Sequence, residues 1–582
     1  MKTLLMGMTS LLLIGFGIGN TEPSKTMPIV EHKLLAGEKT FDCNRVIPYT
    51  PHLITDSPGD TVGISYYDYQ SNGSTGSRIA VCSDGSIYCC WTNLNSVPYP
   101  PNRRGAYYNW RSPEGQWLAP GEGAPVNETV GGGYPRLDIT TDDRGVITYH
   151  RMPDLFVSIE QLPGTGVFDH YHVPNLLNPG GPGNPIYGMW PNITVDRHDR
   201  IHIGMTGGEF YVLMAAYTRS DDGGATWTEP QIVDTVMVLG GVLDASPVSD
   251  RVVYAYSKAA DTTTQWLNNI AYYVSEDGVT WDWQNGCHNI TDYENDGDSL
   301  WAYTDLDVIF DYNDYIHLIW NAQWVTEDEV YFRTYLFHYS EETGEIEVIT
   351  VWPEDYWYDI GGVWNRPICK MNLGVQEDGN VLFATWTQFD TLDVSACGYG
   401  NGEIYMSYSE YGGNWNAPVN LTNSPTPGCL PGQCDSDNWS TLADKVTENT
   451  IRLFYVDDKD AGGMPQSEGT ATENPMRYLE YNMLTDIDEP SGVVPEDIAL
   501  EQNYPNPFNQ STSISFSLAQ AGPTRLEIFD VTGALVQTLI DDYLISGKYQ
   551  ITWDAGALAS GIYLYKLTHV GSTSAGKAVL IK

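Results

Sequence analysis

The chain has 582 residues and a formal net charge of −46 at pH 7, with 29 basic and 75 acidic residues. This length allows a large core and more than one domain. The acidic residues are spread along the chain, so its surface repels phosphate backbones and anionic membranes, which excludes nucleic-acid binding. Many Tyr, Trp and Gly residues, with almost no helical periodicity, predict an all-β protein with many turns.

The N-terminal segment is predicted to direct export. Lys2 precedes an apolar run that ends near Gly19 and is too short and too rich in small residues for a membrane anchor. Residues 1–19 are therefore interpreted as a signal peptide, and the polar, aperiodic residues 20–40 as a leader. No later apolar run could span a bilayer, so we expect no transmembrane segment in the mature chain.

Export would permit disulfide bonds among the nine cysteines. The spacing of Cys429 and Cys434 favours a loop disulfide, and Cys82 and Cys90 are candidates to face each other across a hairpin. The odd number leaves at least one thiol unpaired within the chain. Because no two cysteines have C-x-x-C spacing, the sequence does not favour a cysteine-based zinc site.

A repeated pattern occupies residues 41–484. Each repeat has a short apolar strand, an Asp/Asn/Gly turn and an aromatic-rich strand, followed by two more strand-like runs. About seven repeats occur at roughly 54- to 70-residue spacing, which with four strands each predicts a β-propeller. We predict seven blades, with six as the alternative. Residues 61–69 are expected to complete the last blade, which would leave no exposed sheet edge.

Three of the repeats contain a related turn: Tyr217–Trp227 with the run Ser-Asp-Asp-Gly-Gly-Ala-Thr-Trp, and weaker copies at Tyr272–Trp281 and Tyr408–Trp415. The pattern Ser-x-Asp-x-Gly-x-Thr-Trp resembles the Asp box of sialidase-like β-propellers. The resemblance implies a propeller fold. It implies little about function, because in that family the Asp box stabilises a hairpin away from the ligand.

The C-terminal region is predicted to be a separate domain. An acidic linker with Pro and Gly covers residues 485–498, and alternating strands separated by Gly turns follow over residues 499–582, which predicts a small immunoglobulin-like β-sandwich. This region opens with Asn503-Tyr-Pro-Asn-Pro-Phe-Asn509 and contains a Phe-Asp-Val-Thr-Gly turn, a Ser-Gly-Ile-Tyr strand and a Lys-rich end. It resembles the type A C-terminal sorting domain of the type IX secretion system. The resemblance implies the type IX machinery as a partner and a Gram-negative host. It also implies removal of the tail, with the protein secreted or attached to the outer-membrane surface.

Propellers commonly bind ligands where the first strands enter the central channel, so we took candidate ligand-binding residues from the starts of those strands. Aromatic rings can stack on sugar faces while charged and amide groups bind hydroxyls; alternatively, the rings fill the channel and pack between blades. The candidates are Arg78, Tyr134, Arg136, Trp190, Asn192, Asp244, Tyr303, Asp305, Trp364, Arg366 and Trp439.

The sialidase resemblance implies three arginines on a substrate carboxylate, a Tyr–Glu nucleophile pair and an Asp acid/base. The family's first arginine lies in Phe/Tyr-Arg-Ile-Pro, of which Ser77-Arg78-Ile79-Ala80 keeps only Arg-Ile. Arg136 and Arg366 could complete a triad with Arg78, but their blades do not match the family's order. No Tyr–Glu pair can be assigned, so the catalytic residues remain unassigned.

Metal binding is predicted only as a secondary feature. Asp292, Glu294, Asp296 and Asp298 offer alternate oxygen ligands for Ca²⁺, but the closing Glu of an EF-hand is absent. Residues 457–463 have a similar, poorer pattern, and His170 with His172 lack a third ligand nearby. No cofactor is expected to be required, and Ca²⁺ is the candidate ion.

These patterns favour an exported module that binds a glycan or a protein at its surface without chemistry. The alternative is a sialidase-like glycoside hydrolase with arginines and two carboxylates at the channel mouth. A third hypothesis is a purely structural surface protein, with a channel sealed by Trp and Tyr.

Overall fold

A computed structural model describes these residues: 56–95, 104–127, 132–151, 154–175, 188–207, 214–235, 237–260, 267–293, 300–325, 330–352, 360–362, 364–379, 381–410, 413–447, 449–483, 498–500, 502–503, 506–509, 511–518, 522–544, 547–556, 558–570 and 572–581. The predicted signal peptide, leader and most of the linker lie outside this set. The chain forms two compact units that part between Asn482 and Met483. No helix in the described ranges is long and apolar enough to cross a membrane.

The fold is all-β, as predicted. The first unit begins with β1 (Asp60–Ser65), and its other strands follow as successive groups. Group 1 contains β2 (Ile79–Val81), β3 (Ile87–Leu94), β4 (Arg104–Arg111) and β5 (Ala124–Pro125). Group 2 contains β6 (Gly133–Ile139), β7 (Gly145–Arg151), β8 (Asp154–Glu160) and β9 (Phe168–Val173). Group 3 contains β10 (Met189–Val195), β11 (Ile201–Gly207), β12 (Met214–Ser220) and β13 (Gln231–Asp234).

Group 4 contains β14 (Met237–Ala245), β15 (Val252–Ala259), β16 (Asn268–Ser275) and β17 (His288–Asn289). Group 5 contains β18 (Leu300–Phe310), β19 (Ile316–Val325), β20 (Val330–Ser340) and β21 (Ile346–Trp352). Group 6 contains β22 (Ile368–Gln376), β23 (Val381–Val394), β24 (Gly400–Glu410) and β25 (Val419–Asn420). Group 7 combines β26 (Ser436–Leu442), β28 (Thr450–Asp458) and β29 (Asn474–Asn482) with β1, while β27 (Lys445–Val446) pairs with β22. A short 3₁₀ helix, Met464–Gln466, lies between β28 and β29.

The strands of each group are antiparallel neighbours, and groups 4 and 5 join into one eight-stranded sheet through the pair Asn268↔Ala302. The N-terminal β1 pairs with β29, so the first described strand completes the last group. Apolar side chains of consecutive groups share cores. One such core joins Tyr88 of group 1 to Ile147 of group 2, and another joins Val253 of group 4 to Trp320 of group 5. Burial between neighbouring sheets therefore holds the unit together.

The first strands of most groups carry a bulge at a bulky residue in the left-handed region. Tyr134 has a φ of 55°, Trp190 of 45° and Trp439 of 56°, and Leu239 and Lys370 behave similarly. The strand register shifts at each of these positions. Such φ values are strained for large side chains, and strain of this kind concentrates at functional sites.

Residues 66–77, the central segment, run between β1 and β2 and touch the first strands of several groups. Gly76 has a φ of 58°, and a Cβ atom there would lie 2.4 Å from Arg136 Nε, so only glycine fits. The segment is held by Arg136 Nη2 donating to Ser74 O at 2.9 Å, Leu306 N to Ser74 Oγ at 3.0 Å, Thr75 Oγ1 to Asn372 Oδ1 at 3.2 Å and Lys370 Nζ to Gly73 O at 3.2 Å. The segment therefore fills the space that the first strands surround.

The three related turns lie between the third and fourth strands of groups 3, 4 and 6. In the first, Asp222 accepts hydrogen bonds from Thr226 N and Thr226 Oγ1, both at 2.7 Å, and Trp227 Nε1 donates to Gly224 O. In the second, Asp277 accepts from Thr280 N at 2.6 Å and from Thr280 Oγ1 at 2.9 Å. These carboxylates therefore stabilise their own turns through local hydrogen bonds.

The cysteine predictions had mixed outcomes. Cys429 and Cys434 form a disulfide bond with a Cα–Cα distance of 5.1 Å, as expected. The prediction that Cys82 faces Cys90 is wrong, because both are free, buried thiols. The structure pairs Ile79 with Cys89 and Val81 with Ile87, so Cys82 lies in the turn beyond the paired strand ends.

The second unit contains two sheets that enclose one core. The three-stranded sheet has β30 (Ile498–Leu500), β31 (Ser511–Leu518) and β34 (Gly547–Asp554), and the four-stranded sheet has β32 (Gly522–Asp530), β33 (Leu535–Leu544), β35 (Gly561–His569) and β36 (Ser572–Leu580). Phe516 and Trp553 of the first sheet and Leu526 and Tyr565 of the second belong to the same buried cluster. Alternation along the strands places these side chains inside.

Candidate functional site

The sequence-derived ligand candidates lie along the first strands, but most are buried. Only Trp190 and Asp244 are half-exposed, while the other nine are between 0 and 7% exposed. Their side chains pack against the central segment and against neighbouring groups, so they do not form one open platform.

Arg78 and Arg136 lie close together, but both guanidinium groups bind the protein itself. Arg78 is fully buried and donates to Trp439 O and to Thr441 Oγ1. Arg136 donates to Ser71 Oγ at 2.6 Å and to Pro135 O at 3.0 Å. Burial, then the neighbouring Arg136, lowers the pKa of Arg78 to about 9. Arg78 therefore stabilises the bulge at Trp439, and Arg136 holds the central segment in place.

Arg366 is separate from that pair. Its guanidinium carbon lies 4.1 Å from the centre of the Tyr303 ring, and its Nε donates to Gln323 Oε1 at 2.6 Å. Trp364 lies beside the same tyrosine, with ring centres 6.4 Å apart. The three arginines considered as a triad therefore do not converge on one point.

Asp305 forms a buried ion pair. Lys370 Nζ lies 3.1 Å from Asp305 Oδ2, and neither side chain is exposed. Asp305 also accepts from Lys370 N at 3.0 Å, and Lys370 Nζ stands 4.7 Å from the centre of the Trp439 ring. Lys370 of β22 thus links Asp305 of β18, through the ion pair, to the Trp439 ring of β26.

A better candidate for a ligand-binding surface surrounds Tyr134, and we call it the mouth cluster: Tyr67, Arg104, Tyr134, His150 and Trp190. Arg104 Nη1 donates to Tyr67 Oη at 2.7 Å and to Tyr134 Oη at 3.2 Å, and the two hydroxyl groups are 2.8 Å apart. The guanidinium carbon lies 4.8 Å and 5.2 Å from the two ring centres. Arg104 is half-exposed, so its orientation is fixed while part of it still meets solvent.

His150 links the tyrosines to Trp190. Its ring meets that of Tyr134 edge-on, with centres 5.0 Å apart, and its Nδ1 accepts a hydrogen bond from Trp190 N at 3.2 Å. Burial, then the charges of Arg104 and Arg136, lowers the pKa of His150 to about 3. A neutral imidazole therefore lies near the guanidinium, and the half-exposed Trp190 is joined to that imidazole through its backbone N–H.

Sequence reasoning missed Arg104, His150 and Tyr67 because it searched only the first strands. Arg104 begins β4, the third strand of its group, and His150 lies near the end of β7. The signal that could have found Arg104 is its place at the end of a strand next to an apolar–aromatic run, Ala106–Trp110.

Asp244 and Asn192 were expected at the mouth, but they lie beyond the bulges and line a small cavity with Asp138, Asp307 and Asp444. Asp138, Asp244 and Asp307 each accept a backbone hydrogen bond from the next first strand, from Val195 N, Phe310 N and Leu373 N. Desolvation by the surrounding protein raises the pKa of Asp138 to about 6, of Asp244 to about 8 and of Asp307 to about 7. Asp244 and Asn192 therefore lie in this cavity, past the bulges of β14 and β10, and their role in ligand binding stays a prediction.

The predicted calcium loop is only partly visible. Asp292 is described and exposed, whereas Glu294, Asp296 and Asp298 lie outside the described residues. In the ranges that the structure covers, no three Asp, Glu, His or Cys side chains stand ready to hold one metal ion.

Comparison with known families decides the nature of the tail. Residues 502–582 match the secretion system C-terminal sorting domain. The tail is a secretion-system sorting domain. The resemblance to a type IX sorting domain is thereby confirmed, and it marks the chain as a secreted or cell-surface protein of a Gram-negative bacterium. No curated protein matches the chain.

Several solved structures resemble the chain. The polysaccharide lyase Uly1 is 9% identical, with 74% of this chain and 99% of the lyase covered at a TM-score of 0.41. A protein of unknown function from Dyadobacter fermentans is 12% identical. The match covers 60% of this chain and 98% of that protein, with a TM-score of 0.37. The α-L-arabinofuranosidase Arb93A from Fusarium graminearum is 13% identical. The match covers 64% of this chain and 100% of that enzyme, with a TM-score of 0.35. At these identities and scores, none assigns a function to this chain.

Proposed function

We propose that the chain is an exported seven-bladed β-propeller that binds a glycan at the mouth of its channel. The seven four-stranded groups correspond to blades, the Asp222 and Asp277 turns to Asp boxes, and the second unit to an immunoglobulin-like sandwich that serves as the sorting domain. The pairing of β1 with β29 supports a ring in which the N-terminal strand completes the last blade.

The mouth cluster carries the proposal. A half-exposed indole offers a face for a sugar ring, and a guanidinium fixed by two tyrosines offers donors for a hydroxyl or an acidic group. Trp190 holds a φ of 45°, a strained value for a large side chain at the point where a ligand would be met. Because Arg104 is already oriented, binding would cost little side-chain entropy.

The alternative, a sialidase-like glycoside hydrolase, is less well supported. It requires arginines that face a substrate, whereas Arg78 and Arg136 donate to backbone carbonyl and hydroxyl oxygens inside the protein. The mouth carboxylate Asp305 is already paired with Lys370. A purely structural role would leave the mouth cluster without a ligand.

The test is a binding assay with the full chain on a panel of acidic and neutral glycans, with released sugar and retained ligand measured together. We expect retention without release. Arg104→Ala and Trp190→Ala should each weaken binding by about tenfold or more, equivalent to ~1.4 kcal/mol. Arg144→Ala is the matched control, because Arg144 pairs with Asp142 on the exposed surface and should bind normally. Release of sugar would favour the hydrolase, and unchanged binding by both mouth variants would refute this site.

A further inference from the structure

Two buried arginines next to the mouth cluster carry charges that no carboxylate of the described residues balances. Arg78 is 0% exposed and Arg136 4%, and within the described ranges neither forms a salt bridge. Arg78 Nη1 and Arg136 Nε are buried without a hydrogen-bond partner. A buried cation is costly without an anion close to it. This part of the protein therefore has an excess of positive charge, in a chain whose formal net charge is −46.

His150 adds a neutral hydrogen-bond donor to the same place. Its side chain is 6% exposed, and its Nδ1 accepts a hydrogen bond from Trp190 N at 3.2 Å. Because a backbone amide can only donate, the proton of the neutral imidazole is on Nε2. No group of the residues that the structure describes accepts a hydrogen bond from Nε2. A donor in so buried a side chain costs free energy until an acceptor is supplied.

Arg104 brings a half-exposed guanidinium to this donor. Its Nη1 is fixed by the two tyrosine hydroxyl groups, and Gly132 N donates to Arg104 O at 3.0 Å, which holds the Arg104 backbone beside β6. The charges that act on the His150 imidazole are those of Arg104 and Arg136, and both lower its pKa. The guanidinium and the imidazole N–H therefore lie in one positively charged region, which favours a negatively charged acceptor.

We propose that the mouth cluster binds the carboxylate of an acidic sugar, such as a uronic acid, through Arg104 and the Nε2–H of His150. This inference rests on the proposed glycan binding and narrows it to acidic glycans. A planar carboxylate has two oxygens and can accept from both donors, and a guanidinium suits its geometry. The buried charges of Arg78 and Arg136 stabilise the bound anion from inside the protein.

The experiment measures retention of uronate-containing oligosaccharides by the full chain, beside the same oligosaccharides with each carboxyl group reduced to an alcohol. We expect the acidic members to bind about tenfold more tightly than their reduced partners, because hydrogen bonds to a charged group are the stronger ones. Arg104→Gln should remove this preference, since glutamine keeps a donor and loses the charge. His150→Phe should reduce it, since phenylalanine keeps a ring edge-on to Tyr134 but has no N–H.

Arg144→Gln is the matched control, because Arg144 pairs with Asp142 on the surface and should keep the preference. Equal retention of acidic and reduced members would overturn this inference and leave glycan binding at the mouth standing. Retention of neither would overturn it together with the proposed function. A preference that survives in Arg104→Gln, or one that follows sulfate esters rather than carboxyl groups, would also overturn it. Arg104 is half-exposed, so Arg104→Gln decides the matter if His150→Phe does not fold.

Discussion

Replacing Lys370 with methionine is expected to destabilise the first unit by ~3–5 kcal/mol. The change leaves the Asp305 carboxylate fully buried without its cation, and it removes the contacts of Lys370 Nζ with the Trp439 ring and with Gly73 O. Chemical denaturation at pH 7, followed by tryptophan fluorescence, measures the loss.

Two controls separate the ion pair from simple loss of packing. The double variant Asp305→Asn with Lys370→Met removes both charges and should recover a large part of the loss, since no unpaired charge remains. Arg144→Met breaks an exposed pair and should change stability by about 0.5 kcal/mol or less. A Lys370→Met variant as stable as Arg144→Met would contradict this account of the core.

Stability is expected to fall as the pH rises from about 5 to 8. Burial raises the pKa of Asp68 to about 7 and of Asp437 to about 8, and both side chains are almost fully buried. The folded protein then binds more protons than the unfolded chain between the unfolded carboxyl pKa near ~4 and these raised values, so unfolding becomes easier with increasing pH in that window.

Other carboxylates act in the opposite direction at lower pH. Hydrogen bonds from Thr280 and Val279 hold the pKa of Asp277 well below its usual range, so the stability it adds is lost as the pH falls below ~4. The unfolding midpoint should therefore peak near pH ~4–5. Asp437→Asn should flatten the decline between pH 5 and 8, while Asp142→Asn should not. A midpoint that stays level or rises over that interval would refute this assignment.

The repeated strands and turns could be predicted because local chemistry determines them. The Ser-x-Asp turns are folded by hydrogen bonds within a few residues, and the tail motifs pair within one small unit. The place of residues 61–69 beside the last group followed from the count of strands, and β1 pairs with β29 as expected.

The site could not be derived in the same way. Positive φ at Tyr134, Trp190 and Trp439 turns the backbone where the residue types give no warning, and it redirects the neighbouring side chains. Residues 66–69 were expected to continue the strand that begins at residue 61, but β1 ends at Ser65. Residues 66–77 instead lie against the first strands, where Arg136 and Lys370 donate hydrogen bonds to them. Arg104 reaches the mouth from a third strand, a proximity that only the tertiary fold creates.

The most direct test of glycan binding at the mouth is hydroxyl-radical footprinting of the full chain with and without a retained glycan. Trp190 is half-exposed at the mouth, whereas the stacked pair Trp281 and Trp283 is half-exposed beside the turn after β16. The account predicts that the glycan protects Trp190 and leaves Trp281 and Trp283 as reactive as before. Protection of Trp281 and Trp283 with Trp190 unchanged would place the ligand elsewhere and contradict the proposed site.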